Sequence, residues 1–136
     1  MLINFIFAIE DEPFAEFKKS KSITSYEIPN GKINIDGFLN ETYWDSSIVL
    51  TNFKQAHPKY NNNPSKKTYI RLLYDDEFLY IGVYLEDDSE LLSCKYSQSD
   101  DWDQGFDNNS DYFVIEIDSN HDHRTSYGFA VNCLGI

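Results

Sequence analysis

The chain has 136 residues, which leaves room for one domain, and its hydrophobic content of 41% excludes a disordered chain. Asp and Glu number 23 against 11 Lys and Arg, so the net charge is −12. Such a surface repels a phosphate backbone and an anionic membrane face, and we expect no nucleic-acid partner. It suits neutral ligands, cations or simple solubility.

Residues 1–25 are predicted to be a leader or linker, and residues 26–136 the N-terminal part of the domain. The chain begins with an apolar run of about seven residues, far below the roughly 20 that a membrane-spanning helix needs. Two interpretations of this run stay open. It is the remnant of a secretory signal peptide whose start is missing, or an apolar segment that packs on the domain.

The first part of the domain predicts short elements. A strand is expected within residues 26–37, followed by a helical turn with Asn40 as N-cap and Trp44 directed at the core. Residues 48–55 predict a further strand, and residues 57–67, which contain two prolines and three consecutive asparagines, predict a polar loop.

The middle of the chain predicts a hairpin. Residues 68–74 and 79–85 have the pattern of two strands, joined by the acidic turn at residues 75–78. The Asp-Asp pair of this turn is interpreted as a turn former, and the tyrosines beside it as residues that fill a sheet face. In the second strand one face is predicted to carry Tyr80, Gly82 and Tyr84, and the other Leu79, Ile81, Val83 and Leu85.

A second hairpin is predicted over residues 111–135, with a polar tip at residues 118–123. A long, mostly polar connection, residues 86–110, precedes it. Five or six strands are predicted, fewer than the seven or so of a complete sandwich. We therefore expect an all-β fold, an antiparallel, jelly-roll-like β-sandwich that is incomplete at its C-terminus.

The two cysteines, Cys94 and Cys133, do not form a disulfide framework. They could pair in an oxidising compartment, but their separation in space is not given by the sequence. We expect both to be free thiols, with Cys133 on the buried face of the last strand.

Three segments in this order resemble the family 9 carbohydrate-binding modules. They are IDGFLNETYW at 35–44, YIRLLYDDEFLYIGVYLED at 69–87 and SDYFVIEIDSNHDHRTSYGFAVNCLG at 110–135. The chain looks most like a bacterial subgroup that precedes a region resembling an outer-membrane barrel in long secreted proteins. The resemblance implies a β-sandwich that binds saccharide, often attached to polysaccharide-degrading enzymes.

The chain departs from the sugar-binding members of that family at two positions. Val114 stands where they carry a Glu, and Ala130 stands where they carry an Arg, so two charged hydrogen-bonding groups are replaced by apolar side chains. A stacking Trp has a candidate in Trp102, which lies farther ahead of Asp111 than the family pattern puts it.

The neighbourhood of Trp102 is the predicted saccharide site. An indole plane can stack on the C–H face of a sugar, while flanking acids and amides hydrogen-bond its hydroxyls. The alternative is a solvated loop whose Trp folds back over the sandwich edge. The predicted ligand-binding residues are Trp102, Asp103, Asp107, Asn108, Asp111 and Asn132.

Acids of the same segment could bind calcium through an irregular loop, since calcium prefers six to eight oxygen ligands. Their spacing fails the EF-hand pattern, and a plain acidic surface is the alternative. The candidate calcium ligands are Asp100, Asp101, Asp103 and Asp107.

His121 and His123 flank Asp122 in the predicted turn and lack a third nearby His or Cys ligand, so we interpret them as turn residues. Arg124 is expected to fasten the end of the hairpin through a charge-assisted bond to Asp122.

These patterns predict a non-catalytic carbohydrate-binding module outside the cytoplasm, in the periplasm, at the outer membrane or secreted. Its role would be accessory to polysaccharide degradation or uptake, with no required cofactor and with membrane association only through a missing C-terminal region. The alternative is an interaction domain of a larger outer-membrane protein that has kept the fold and lost the sugar site.

Overall fold

The computed structural model describes residues 2–4, 22–88, 90, 92–94 and 110–135, and the chain divides into two compact units, Met1–Glu86 and Asp87–Ile136. Strands dominate the described residues, which contain one short helix, α1 (Thr42–Ser46). A mainly β fold is therefore confirmed. The strands are β1 (Leu2–Asn4), β2 (Ser22–Thr24), β3 (Tyr26–Glu27), β4 (Val49–Leu50), β5 (Thr68–Tyr74), β6 (Leu79–Leu85), β7 (Tyr112–Ile117) and β8 (Tyr127–Asn132).

The first unit is built on a four-stranded sheet with β5 at its centre. Strand β6 pairs with β5 antiparallel along its whole length, from Thr68 opposite Leu85 to Tyr74 opposite Leu79. The other edge of β5 is shared by β4, which is antiparallel, and β3, which is parallel. The expectation of a purely antiparallel sheet was wrong at β3, because the long connection between β3 and β5 allows a crossover. Strands β1 and β2 form a separate antiparallel pair.

The two strands predicted at residues 68–74 and 79–85 are confirmed at both ends. The strand predicted over residues 48–55 was too long, since only Val49–Leu50 is extended and paired. Asn52 has φ 61°, in the left-handed region, and this conformation cannot continue a strand.

Helix α1 begins one residue later than predicted. Its N-cap is Glu41 rather than Asn40. The Glu41 carboxylate accepts hydrogen bonds from the Asn34 N–H and from Trp44 Nε1, each at 2.9 Å. The bond from Asn34 is the main cause that lowers the pKa of Glu41. The short helix is thus tied to the preceding loop through one carboxylate.

The core of the first unit lies on both faces of β5, because Leu72 and Leu73, on opposite faces, are 1% and 0% exposed. On the face of Leu73, the buried Trp44 joins Ile28, Leu73 and Tyr80 in one cluster. The predicted inward direction of Trp44 is confirmed. Its ring lies over Gly82, where an added Cβ would be 2.9 Å from Trp44 Cζ3.

Asp75 organises the turn between β5 and β6, as the sequence predicted. Its Oδ1 accepts the N–H groups of Glu77 and Phe78 at 2.9 and 2.8 Å, and its Oδ2 accepts the Tyr80 hydroxyl at 2.7 Å. Burial acts to raise the pKa of Asp75, but these donors outweigh it and the pKa lies below its ordinary value. The hydrogen bond to Asp75 is also the main cause that raises the pKa of the Tyr80 hydroxyl.

The second unit contains the predicted hairpin of β7 and β8, with Tyr112 opposite Asn132 and Ile117 opposite Tyr127. Asp118 and Asp122 shape the loop between the strands. Asp118 accepts the N–H of His123 at 2.8 Å, and this bond is the main cause that lowers its pKa. The Asp122 carboxylate accepts the N–H groups of Thr125 and Arg124. Both bonds lower the pKa of Asp122, and the bond from Thr125 has the larger effect.

Cys94 and Cys133 form a disulfide with a Cα–Cα distance of 5.6 Å, so the expectation of two free thiols was wrong. Cys133 was also misplaced, because β8 ends at Asn132 and Cys133 lies exposed just after it. A reciprocal pair of bonds between Ser93 and Asp111 holds the neighbourhood of Cys94: Ser93 N donates to Asp111 Oδ2 and Asp111 N to Ser93 O.

Candidate functional site

Most residues of the predicted saccharide site lie outside the described residues, and so do all the candidate calcium ligands. Both sites therefore stay predictions. The residues concerned are Asp100, Asp101, Trp102, Asp103, Asp107 and Asn108.

The two remaining predicted ligand-binding residues, Asp111 and Asn132, have local partners. Asp111 precedes β7 and bonds to Ser93 in both directions, at 2.7 and 2.8 Å. Asn132 is buried at the end of β8, and its Oδ1 accepts the N–H of Leu134 at 2.9 Å. These contacts orient the two side chains, and their part in ligand binding stays a prediction.

His121 and His123 lie at the hairpin loop with ring centroids 4.8 Å apart. The carboxylates nearest in sequence, Asp118 and Asp122, accept main-chain N–H groups. Arg124 bonds to Asp122 through its main-chain N–H. Within the described ranges, no group of three or more His, Cys, Asp or Glu side chains is arranged to hold a metal ion. None of the described helices has the length and apolarity to cross a membrane.

A shallow hollow lies at the end of β3, with a volume of about 470 Å³. Asn30 and Asp76 face each other across it, and Asn30 Nδ2 donates to Asp76 Oδ2 at 3.3 Å. None of the described residues that line the hollow is aromatic. It therefore offers little to a sugar ring, which binds best against an aromatic plane.

A second concavity, of about 520 Å³, is a groove on the face of the first sheet that also carries Trp44. We call it the tyrosine groove. It is lined by Leu39, Val49, Thr51, Tyr69, Arg71 and Tyr84. The pairing of β5 with β6 places Tyr69 opposite Tyr84 and Arg71 opposite Gly82, so these side chains share one face.

The two tyrosines form the aromatic wall of the groove. Their ring centroids are 6.0 Å apart and their planes are tilted by 49°. Tyr84 is 59% exposed, so much of its side chain is accessible to a ligand. The Tyr69 hydroxyl donates to Glu86 Oε1 at 3.3 Å, and this bond helps to orient the less exposed ring.

Arg71 supplies the polar group of the groove. Its Nη1 donates to the carbonyl oxygens of Trp44 at 2.6 Å and of Ser47 at 3.2 Å. Both oxygens belong to the C-terminal end of α1, where the Trp44 oxygen also accepts the N–H and the hydroxyl of the C-cap residue Ser47. Arg71 thus fixes the helix that carries Trp44, and it is also one of the residues that line the groove.

The arrangement suits a ligand with an apolar ring face and polar edges. Tyrosine rings provide flat surface at low cost in side-chain entropy, and Arg71 and Thr51 provide hydrogen-bonding groups. The alternation in the second strand predicts Tyr84 on the face of Gly82, but it does not predict that Tyr69 and Arg71 lie on the same face of the sheet. The hairpin register would have revealed them, because a four-residue turn after Tyr74 aligns residue 69 with 84 and residue 71 with 82.

One face of the hairpin of β7 and β8 is apolar along both strands, and we call it the hairpin face. Tyr127, Phe129 and Val131 are its exposed members. On the opposite face Val114 pairs with Ala130, so the two departures from the sugar-binding pattern lie directly across from each other. The hairpin face consists of Phe113, Ile115, Ile117, Tyr127, Phe129 and Val131.

Comparisons with protein-family models, with curated proteins and with solved structures returned no match. The features of this chain that bear on function are the tyrosine groove, the hairpin face, the disulfide and the sequence resemblance.

Proposed function

We propose that this chain is a non-catalytic carbohydrate-binding module. The observation that carries the proposal is the tyrosine groove, in which an accessible Tyr84 ring stands beside Tyr69 and Arg71. The resemblance to family 9 carbohydrate-binding modules points to the same function, and its segment 69–87 includes Tyr69, Arg71 and Tyr84. The β-sandwich expected from that resemblance belongs to the proposal as well.

Binding would proceed without a reaction. The apolar face of one sugar ring lies against Tyr84, and hydroxyl groups bond to Arg71 and Thr51. The groove is open to solvent, so few ligand groups are desolvated and affinity is modest, on the order of micromolar to millimolar. No bound cofactor is needed for this mode of recognition.

The proposed location is outside the cytoplasm, in the periplasm, at the outer membrane or secreted. The disulfide between Cys94 and Cys133 supports this location, because such bonds persist in oxidising compartments and are rare in the cytosol. The proposed role in polysaccharide degradation or uptake, within a longer outer-membrane protein, follows from the resemblance alone.

The test is a glycan array followed by titration calorimetry with the saccharides that bind. Tyr84→Ala should weaken binding about fivefold or more, the loss expected if a sugar ring stacks on Tyr84 as a base does on an aromatic side chain, for roughly 1 to 3 kcal/mol. The matched control is Tyr60→Ala, which removes a tyrosine of similar exposure, 54% against 59%, outside the groove. Equal affinities of the two variants would exclude the groove as the binding site.

The same titration separates the two saccharide sites. If the segment around Trp102 binds the sugar, Trp102→Ala abolishes glycan retention and Tyr84→Ala leaves it unchanged. If the groove binds it, the effects are reversed. An array with no saccharide hit contradicts the proposed function for both sites.

A second candidate function is a protein-interaction domain that lacks a sugar site. The hairpin face favours it, because Phe129 is 58% exposed in the middle of an apolar strand surface. Exposed apolar patches of this kind commonly mark protein contacts. The apolar pair of Val114 and Ala130 is consistent with a lost sugar site.

This alternative predicts a glycan array with no saccharide hit and a defined protein partner. Phe129→Asp should abolish binding of that partner, because it buries a charge in an apolar contact. Tyr84→Ala should leave the partner bound. Loss of partner binding in both variants, or in neither, argues against the hairpin face.

A further inference from the structure

Arg71 is a half-buried cation whose hydrogen bonds to other described residues use one of its three nitrogens. Within that part of the chain, its side chain donates only from Nη1, to Trp44 O, Ser47 O and Ser47 Oγ. A guanidinium carries five N–H donors, so Nε–H and both Nη2–H groups remain. Among the described residues no carboxylate pairs with Arg71, although the chain has 23 Asp and Glu.

An unpaired guanidinium in a groove is suited to a carboxylate. The Nε and Nη2 groups form a planar edge whose two parallel N–H bonds match the two oxygens of one carboxylate. Partial burial strengthens this pairing, because the groove lowers the local dielectric below that of bulk water. A neutral hydroxyl group has one oxygen and no charge, so it matches these two N–H donors less well than a carboxylate does.

We propose that the tyrosine groove binds an acidic saccharide, with a uronic acid ring against Tyr84 and its carboxylate on Arg71. The inference rests on the proposed function and names its substrate class. Glu86, bonded to the Tyr69 hydroxyl, places a negative charge at that end of the groove and directs the ligand carboxylate away from it.

The net charge of −12 limits how much negative charge the ligand carries. Charges farther than about 8 Å are largely screened at physiological ionic strength, whereas Arg71 acts at contact distance. A single carboxylate on each sugar is therefore favoured over a densely charged polyanion such as a nucleic acid.

The primary experiment uses the unmodified protein and changes the ligand. Trisaccharides of galacturonate, glucuronate and mannuronate are each titrated beside a carboxyl-reduced, neutral counterpart of the same configuration. We expect at least one acid to bind about tenfold or more tightly than its neutral counterpart, the gain expected from a charge-assisted pair.

The outcomes separate the two proposals. Neutral sugars that bind as tightly as the acids overturn the acidic-saccharide inference and leave the carbohydrate-binding function standing. A panel in which neither acids nor neutral sugars bind, together with a silent glycan array, overturns both.

A second experiment tests Arg71 without removing the bonds that it makes to α1. Thr51→Glu places a carboxylate in the groove, where it competes with the ligand for Arg71, and Thr51→Gln is the matched neutral control. Both variants lose the Thr51 hydroxyl, so affinity should fall for every saccharide, and the readout is the ratio of acid to neutral affinity. We expect Thr51→Glu to lose the preference for acids over neutral counterparts and Thr51→Gln to retain that ratio. An unchanged preference in Thr51→Glu contradicts the assigned role of Arg71.

Discussion

Trp44 lies over the one position of β6 that has no side chain. Its ring fills the space above Gly82, and Arg71 holds the carbonyl oxygen of Trp44 from the neighbouring strand. Leu39, which lines the tyrosine groove, also approaches Gly82, with Cδ2 3.0 Å from a Cβ built there. The core and the groove therefore share a boundary at Gly82.

Replacing Gly82 by Ala should destabilise the protein by about 1 to 3 kcal/mol, because the added methyl group overpacks the contact with Trp44. Urea unfolding measures the change in the free energy of unfolding. The control is Gly128→Ala in β8, where a Cβ meets nothing within 4 Å, and we expect a change within about 0.5 kcal/mol. Equal losses in the two variants would show that Trp44 does not constrain Gly82.

The carboxylate of Asp75 should make stability depend on pH. Its pKa in the folded protein lies below the ordinary value, so its contribution is present at neutral pH and lost as pH falls through the folded-state pKa. Asp75→Asn lacks this contribution. The difference in unfolding free energy between wild type and variant should therefore be largest near neutral pH and shrink at acidic pH.

Tyr80→Phe provides a graded comparison, because it removes one donor to Asp75 and leaves the two main-chain donors. The change in its unfolding free energy between neutral and acidic pH should lie between the changes for wild type and for Asp75→Asn. Identical pH profiles for wild type and both variants would contradict the role given to Asp75. The measurement is urea unfolding at a series of pH values.

At the scale of elements, the β7 and β8 hairpin is held at both ends. Aspartates and main-chain N–H groups shape its loop, and the disulfide joins its far end to the segment before β7. The first sheet has no such bond among its described strands. It relies instead on the apolar cluster around Trp44.

The disulfide should contribute about 4 kcal/mol to stability, from the entropy of closing the loop in the unfolded chain. The two cysteines are 39 positions apart. We expect the paired change Cys94→Ser with Cys133→Ser to lose about this amount in urea unfolding. Wild type in excess reductant should unfold at the same midpoint as the double variant. A double variant as stable as the oxidised protein would contradict the pairing.

At the scale of the whole molecule, 23 acids against 11 Lys and Arg cause self-repulsion. Raising NaCl from low concentration to about 0.2 M should raise the melting temperature, because the Debye length falls to below about 8 Å. KCl should give the same increase at equal ionic strength. A melting temperature that does not respond to either salt would show that repulsion is unimportant.

Calcium chloride at the same ionic strength adds a second comparison. If Asp100, Asp101, Asp103 and Asp107 bind calcium, the melting temperature should rise more in calcium chloride than in NaCl, since a ligand that binds the folded state stabilises it. A chelator should remove the additional increase. An equal increase for all three salts would count against that predicted site.

The two hairpins could be predicted from sequence because their signals are local. Alternating side chains and an acidic four-residue turn predict β5 and β6 to the residue. A similar pattern, two apolar strands joined by a polar turn, predicts β7 and β8. The short elements were harder. The strand Val49–Leu50 is followed by Asn52 in a left-handed conformation, which the alternation of side chains does not reveal. The N-cap of α1 is Glu41, whose carboxylate bonds to Asn34 in the preceding loop.

Composition and neighbours along the chain are enough to predict the mainly β character, the acidic surface, the inward Trp44 and the turn at Asp75. They do not predict that Cys94 meets Cys133, that β3 runs parallel to β5, or that Tyr69, Arg71 and Tyr84 line one groove; the fold shows these. The reason is physical. Strand register and loop closure bring together residues that are far apart in sequence, and these distances are set by the packing of the whole chain.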